Sequence, residues 1–132
     1  MSNADALRQV IEKGFGQGDL DVADTFAAGK IKEHEYGAPD LTDGPELMRA
    51  MIHEARSALP DLVMSVEDIV ADGDKVWARS VGRGTDPQTG RPVVLTVFDL
   101  CRFQNGRIVE HWGVPDRFAL LHQAGLLGAP PA

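Results

Sequence analysis

The two halves of the chain carry different hydrophobic periods. In the first half, Leu7, Val10, Ile11 and Phe15 recur at helical spacing behind Asn3, a residue suited to capping, and Gly16 and Gly18 end the run. A second short helix is predicted from Asp19, with Leu20, Ala23, Phe26 and Ala27 on one side. The segment 30–36 reads as a short strand with Lys32, His34 and Tyr36 on one face and Ile31, Glu33 and Glu35 on the other. The stretch PDLTDGPE is turn chemistry. Its Asp43-x-x-Glu46 spacing with an early Pro45 starts a third helix, along which Leu47, Met48, Met51, Ile52, Ala55 and Leu59 form a wide apolar stripe that Pro60 closes. Met48 and Met51 read as core.

In the second half the period falls to two. LVMSVEDIV, KVWARSVGRG, VVLTVFDLCRF and IVEHWGV read as strands, separated by ADGD, TDPQTGRP and QNGR. DRFALLHQAGLLG adds one more helix. Helices followed by an antiparallel meander predict an α+β fold, a curved sheet with the helices packed across one face.

Asn105-Gly106 is the strongest hairpin signal, because a type I′ turn needs positive φ at both central residues. Regular pairing outward from that turn sets Phe103 opposite Ile108, Arg102 opposite Val109, Cys101 opposite Glu110 and Asp99 opposite Trp112. Val97, Asp99, Cys101 and Phe103 then share one face with Ile108, Glu110, Trp112, Val114 and Asp116, while His111 looks the other way unless a bulge re-aims it. On this register Asp99 and Asp116 enter an apolar cavity with Trp112 as a wall. Burial and mutual repulsion there would lift one carboxyl into the range that shuttles protons at neutral pH. The competing reading makes Asp116 the cap of the last helix and Asp99 a half-exposed strand residue.

With 132 residues, 43% of them apolar, the chain suits one domain spanning 1–132. A net charge of −7 repels a phosphate backbone and argues against a nucleic-acid partner. Cys101 is the only cysteine, no Cys/His metal cluster is present, and EDIVADGD lacks the ligand spacing of a calcium loop. Without a signal-like N-terminus or a run of membrane-spanning length, no membrane association and a cytoplasmic location are expected.

ALPDLVMSVEDIVADGDKVWARSVGRGT, TGRPVVLTVFDLCRFQNGRIVEHWGVPD and RFALLHQAGLLG together resemble the SnoaL-like polyketide cyclase family of the nuclear transport factor two-like superfamily. The resemblance implies a cone-shaped α+β fold with three to four helices, a deep apolar pocket, a homodimer joined through the sheet, and a hydrophobic small-molecule substrate. It also implies a ring closure by general acid–base catalysis without metal or organic cofactor, with an aspartate at the end of the last strand as the catalytic group, and Asp116 matches that position. Asp99 falls where the cyclases carry a histidine, which puts their substrate in question here. The connection GRGTDPQTGRPV is shorter than the family's, with Asp86 at the place of another histidine.

The same resemblance brings the face of His34 and Tyr36 towards the pocket mouth. On the KVWARSVGRG strand, Val76, Ala78, Ser80 and Gly82 share a face, and if they line the pocket Ser80 is their one polar group. Limonene epoxide hydrolases need an arginine and an aspartate where Ser80 and Gly82 stand, and ketosteroid isomerases need a deep tyrosine, whereas Tyr36 is the only one here. Two functions therefore stand: a cofactor-independent acid–base enzyme using Asp116 and Asp99, with Trp112, His34, Tyr36 and Ser80 around the substrate, or a ligand-binding module without chemistry.

Overall fold

The chain starts with a capping box. In the computed structural model, which describes residues 1–35 and 40–127, Ser2 rather than Asn3 caps helix α1 (Asn3–Gln9), its hydroxyl accepting from the Asp5 amide while the Asp5 carboxylate accepts from the Ser2 amide. The helix then widens into a π-helical segment, Val10–Phe15, that buries Val10 and Ile11. Helix α2 (Asp21–Phe26) begins after Asp19, whose carboxylate accepts from the Asp21 amide, and Ala27 already belongs to strand β1 (Ala27–Glu33). Tyr36 lies outside the described residues.

Part of the expected turn is a strand, β2 (Asp40–Asp43), paired antiparallel with β1. Helix α3 (Gly44–Ala58) follows as the sequence predicts, with the Asp43 carboxylate accepting from the Glu46 amide at 2.9 Å. A Cβ on Gly44 would collide with the Ala28 carbonyl oxygen, so only glycine lets α3 start this close to β1.

Four long strands complete the sheet: β3 (Val63–Asp72), β4 (Lys75–Thr85), β5 (Pro92–Gln104) and β6 (Arg107–Pro115), with helix α4 (Arg117–Gln123) after them. The order is β2-β1-β6-β5-β4-β3, antiparallel except where β1 runs parallel to β6. This is the α+β architecture that the sequence implied, with a mixed sheet that is open at both edges rather than closed into a barrel.

One face of the sheet packs on the first three helices. Leu7, Val10, Ile11, Val22 and Ile52 meet Val76, Ala78, Cys101, Phe103 and Ile108, all buried, and each large aliphatic contributes about 1.5–3 kcal/mol by leaving water. A smaller cluster of Leu59, Leu62, Val93, Leu95 and Ala124 seats α4. Gln123 fastens it further, accepting from the Val94 amide and donating to the Val94 carbonyl, each at 2.7 Å. The opposite face of the sheet leaves Trp77, Phe98 and Val114 exposed. Among the described residues no helix is long and apolar enough to cross a membrane.

Candidate active site

The turn at Asn105-Gly106 forms as expected, with φ of 51° and 76°. The register beyond it does not. A β-bulge between the Phe103–Ile108 and Arg102–Glu110 pairs leaves Val109 without an opposite number, so Cys101 faces His111, Leu100 faces Trp112 and Asp99 faces Gly113. From Glu110 onward every side chain of β6 therefore lies on the face opposite to that predicted. The physical reason is charge pairing: regular pairing would bury Glu110 against Cys101, whereas the bulged register sets it opposite Arg102, whose guanidinium donates to it at 3.0 Å.

The exchange brings His111 inward. Its Nδ1 lies 2.7 Å from Glu33 Oε2 and its Nε2 lies 2.7 Å from Asp99 Oδ1. The three side chains are only 14%, 8% and 14% exposed. Burial alone would push the imidazole towards neutrality, but the hydrogen bonds and charges of Asp99 and Glu33 outweigh it and raise its pKa from 6.5 to about 10. With both ring nitrogens donating, His111 is an imidazolium at neutral pH. Gly113 gives the ring its place: a Cβ there would stand 2.7 Å from His111 Cε1 and 3.1 Å from Asp99 Oδ1.

Glu35, next on the same side of the chain, points to the same group, and one donor atom each from Glu33, Glu35 and His111 lie within 4.8 Å of one another. Since carboxylates engage both nitrogens of His111, the cation at the centre of this group is the imidazolium itself. Burial raises the Glu35 pKa, with the His111 charge opposing, the Glu33 charge assisting, and Arg117 opposing from 3.1 Å across an ion pair. Cys101 lies nearby, its thiol held neutral by burial.

These polar groups form one end of a cavity of about 240 Å³ between the helices and the sheet. Ile11, Phe15, Met48, Met51, Met64 and Leu95 make apolar walls, and Arg117 and Leu120 of α4 stand over it. Glu54 of α3 also lines it. An apolar chamber with a few converging polar groups suits a hydrophobic ligand with a polar oxygen at one place.

Of the residues singled out from sequence, Asp99 lies in the chamber. Asp116 does not: it is exposed and its carboxylate caps α4, accepting from the Ala119 amide at 3.0 Å. The two aspartates therefore do not share a cavity. Trp112 is no wall of it either, because the bulge turns it to the outer face, where its ring stacks on His34 at 4.4 Å. There His34 lies 2.7 Å from Glu110, whose carboxyl, pushed up by burial, is brought below its usual range by His34 and Arg102. Ser80 is on the inner face and fully buried, but it is absent from the cavity wall, and its hydroxyl finds no partner among the described residues. Val76 and Ala78 pack beneath the helices, and Gly82 lies behind the chamber residues Leu62, Met64 and Leu95; none of the three lines the chamber itself.

Glu33, Glu35 and Arg117 are the residues the sequence reading missed. For the glutamates the signal was present. Ile31, the apolar residue of its strand and 3% exposed, marks the inward face, and Glu33 and Glu35 follow it at a spacing of two.

The SnoaL-like polyketide cyclase family model matches residues 5–124. Among solved structures, IdmH from Streptomyces antibioticus, described as a proposed polyketide cyclase, is 29% identical over 95% of this chain and 99% of its own, with a TM-score of 0.82. TsrD from Streptomyces laurentii is 25% identical over 96% of this chain and 100% of its own, TM-score 0.79. AclR from Streptomyces galilaeus, described as a proposed hydroxylase, is similar in fold, with 24% identity over 98% and 91% and a TM-score of 0.79. The search of curated proteins returned no match.

Proposed function

The chain belongs to the SnoaL-like polyketide cyclase family, and from that premise we propose that it is an acid–base enzyme acting at a carbon beside a carbonyl in a hydrophobic cyclic or polyketide-like molecule. The observation that carries the reading is Asp99: one oxygen is held by the His111 imidazolium, the other is bonded by none of the described residues, and the side chain lines an apolar chamber. Asp99 takes the α-proton, and the C–H electron pair moves into the enolate. The enolate carbon attacks a second carbonyl within the same molecule, and the resulting alkoxide recovers the proton. One C–H bond and the π bond of the second carbonyl break, one C–C and one O–H bond form, and no electrons leave the substrate. Apolar walls exclude water and hold the two reacting carbons together.

This assigns to Asp99 the part that the family resemblance suggests for Asp116, which is engaged in capping α4. The test needs no natural substrate. Hydrophobic aryl ketones and 1,3-diketones in D₂O should exchange their α-protons faster with the protein, and Asp99→Asn should lose about 10²–10⁴-fold of that acceleration, whereas Asp116→Asn keeps it. A parent protein that binds these ketones without speeding exchange makes the chain a ligand-binding module instead.

The exposed side of the sheet supports a homodimer, with Phe98 57% and Val114 68% exposed on adjacent strands. Phe98→Asp should convert a dimer to a monomer in sedimentation.

A further inference from the structure

We propose that Glu35 is the proton donor of this site, a second catalytic residue acting on the substrate's carbonyl oxygen while Asp99 acts on its carbon, and that Arg117 is the residue that positions it. The assignment rests on the acid–base reading above and specifies how that reading works.

Glu35 lines the same chamber as Asp99, and its side chain is 9% exposed. It does not join the hydrogen bonds that saturate His111, since Glu33 and Asp99 occupy both ring nitrogens. It is instead fixed from the other side by Arg117 Nη2 at 3.1 Å, a residue of α4 that also lines the chamber. The group is thus held at the polar end of the cavity by a partner outside the imidazolium array. Burial disfavours its charge and Glu33 adds repulsion, and these outweigh the opposing His111 and Arg117 to raise its pKa. The charged groups facing it are Glu33 at the end of β1, two residues before it, His111 on β6 and Arg117 on α4; Asp99 on β5 and Glu54 on α3 line the same chamber.

Two carboxyls with separate partners divide the work. The α-proton passes to Asp99 as the Glu35 O–H bond breaks and its proton passes to the carbonyl oxygen, so a neutral enol forms in place of a free enolate. Glu35 is left as a carboxylate facing two cations, His111 and Arg117. When the enol carbon attacks the second carbonyl, the enol proton returns to Glu35 and the proton on Asp99 goes to the new alkoxide, restoring both groups. The substrate class that needs both hands is a neutral hydrophobic ketone or diketone.

Arg117→Leu gives a readout that general damage would not reproduce. Exchange of ketone α-protons in the parent should fall at high pH as Glu35 ionises; removing the guanidinium should move that limb to higher pH. Glu35→Gln should lower the rate about 100-fold and abolish the limb. A ¹³C-carboxyl titration of the intact protein should show Glu35 ionising above the ordinary carboxyl range, and higher still in Arg117→Leu. A limb that persists unchanged in Glu35→Gln, or a Glu35 carboxyl titrating in the ordinary range, overturns the assignment of Glu35 while leaving Asp99 in place. A parent that exchanges no ketone overturns the acid–base reading and this assignment together.

Discussion

His111 and His34 sit on opposite faces of the same parallel pair of strands, each 2.7 Å from a carboxylate, and they do different things. His34 lies on the outer face with its ring flat against Trp112, and its carboxylate, Glu110, is shared with Arg102. His111 lies on the inner face between two carboxylates, with no aromatic partner among the described residues, over the bare backbone of Gly113. A histidine beside one carboxylate neutralised elsewhere is structural packing. One between two carboxylates, inside an apolar chamber, is a fixed positive charge held against Asp99, the base of the proposed reaction. Composition does not separate the two residues; a single extra residue in β6 does.

The comparison breaks most sharply on substitution of each histidine. His111→Asn should lower ketone exchange on the order of 100-fold, since it removes a charged donor held against the base, while His34→Asn should leave the rate unchanged. Stability should follow the same division. A histidine whose pKa is raised on folding contributes in full below its unfolded value of 6.5, and that contribution disappears as the pH rises through about 10. Melting temperature of the parent should therefore decline across this window, and the decline should flatten in His111→Asn.

Gly113→Ala sharpens the comparison from the backbone side. The new methyl meets the ring and Asp99 together, so a loss of about 1–3 kcal/mol is expected by chemical denaturation. The ¹H NMR titration of His111 should move down in pH as its hydrogen bonds lengthen. The smallest effect belongs to the outer face: Trp112→Leu removes the stack on His34 at a cost of about 0.5–1.5 kcal/mol beyond its lost area, and it should leave the titration of His111 where it is.

Local signals carried much of the fold. The Asp43 cap and Pro45 placed α3 to within a residue, and Asn105-Gly106 placed the last hairpin, because capping and turn chemistry are decided by neighbours in sequence. The parallel pairing of β1 with β6 was not legible, since nothing near Ala27 announces a partner some eighty residues away. The site failed at the bulge. Side-chain parity in a strand is all or nothing, so one unpaired residue exchanged Trp112 for His111 in the chamber and left Asp116 to the helix. The clue was Arg102 with Glu110, a pair that only the shifted register satisfies. Along residues 31–35 the alternation predicted from sequence matches the structure, with Ile31, Glu33 and Glu35 facing inward and His34 outward.

The parallel join of β1 to β6 also sets when the buried charge cluster can assemble. Glu33 precedes its partner His111 by 78 residues. Closing so long a loop is slow and entropically costly, and it waits on the synthesis of β6. A nascent polypeptide that has not reached β6 therefore carries acids and walls, but no imidazolium between them.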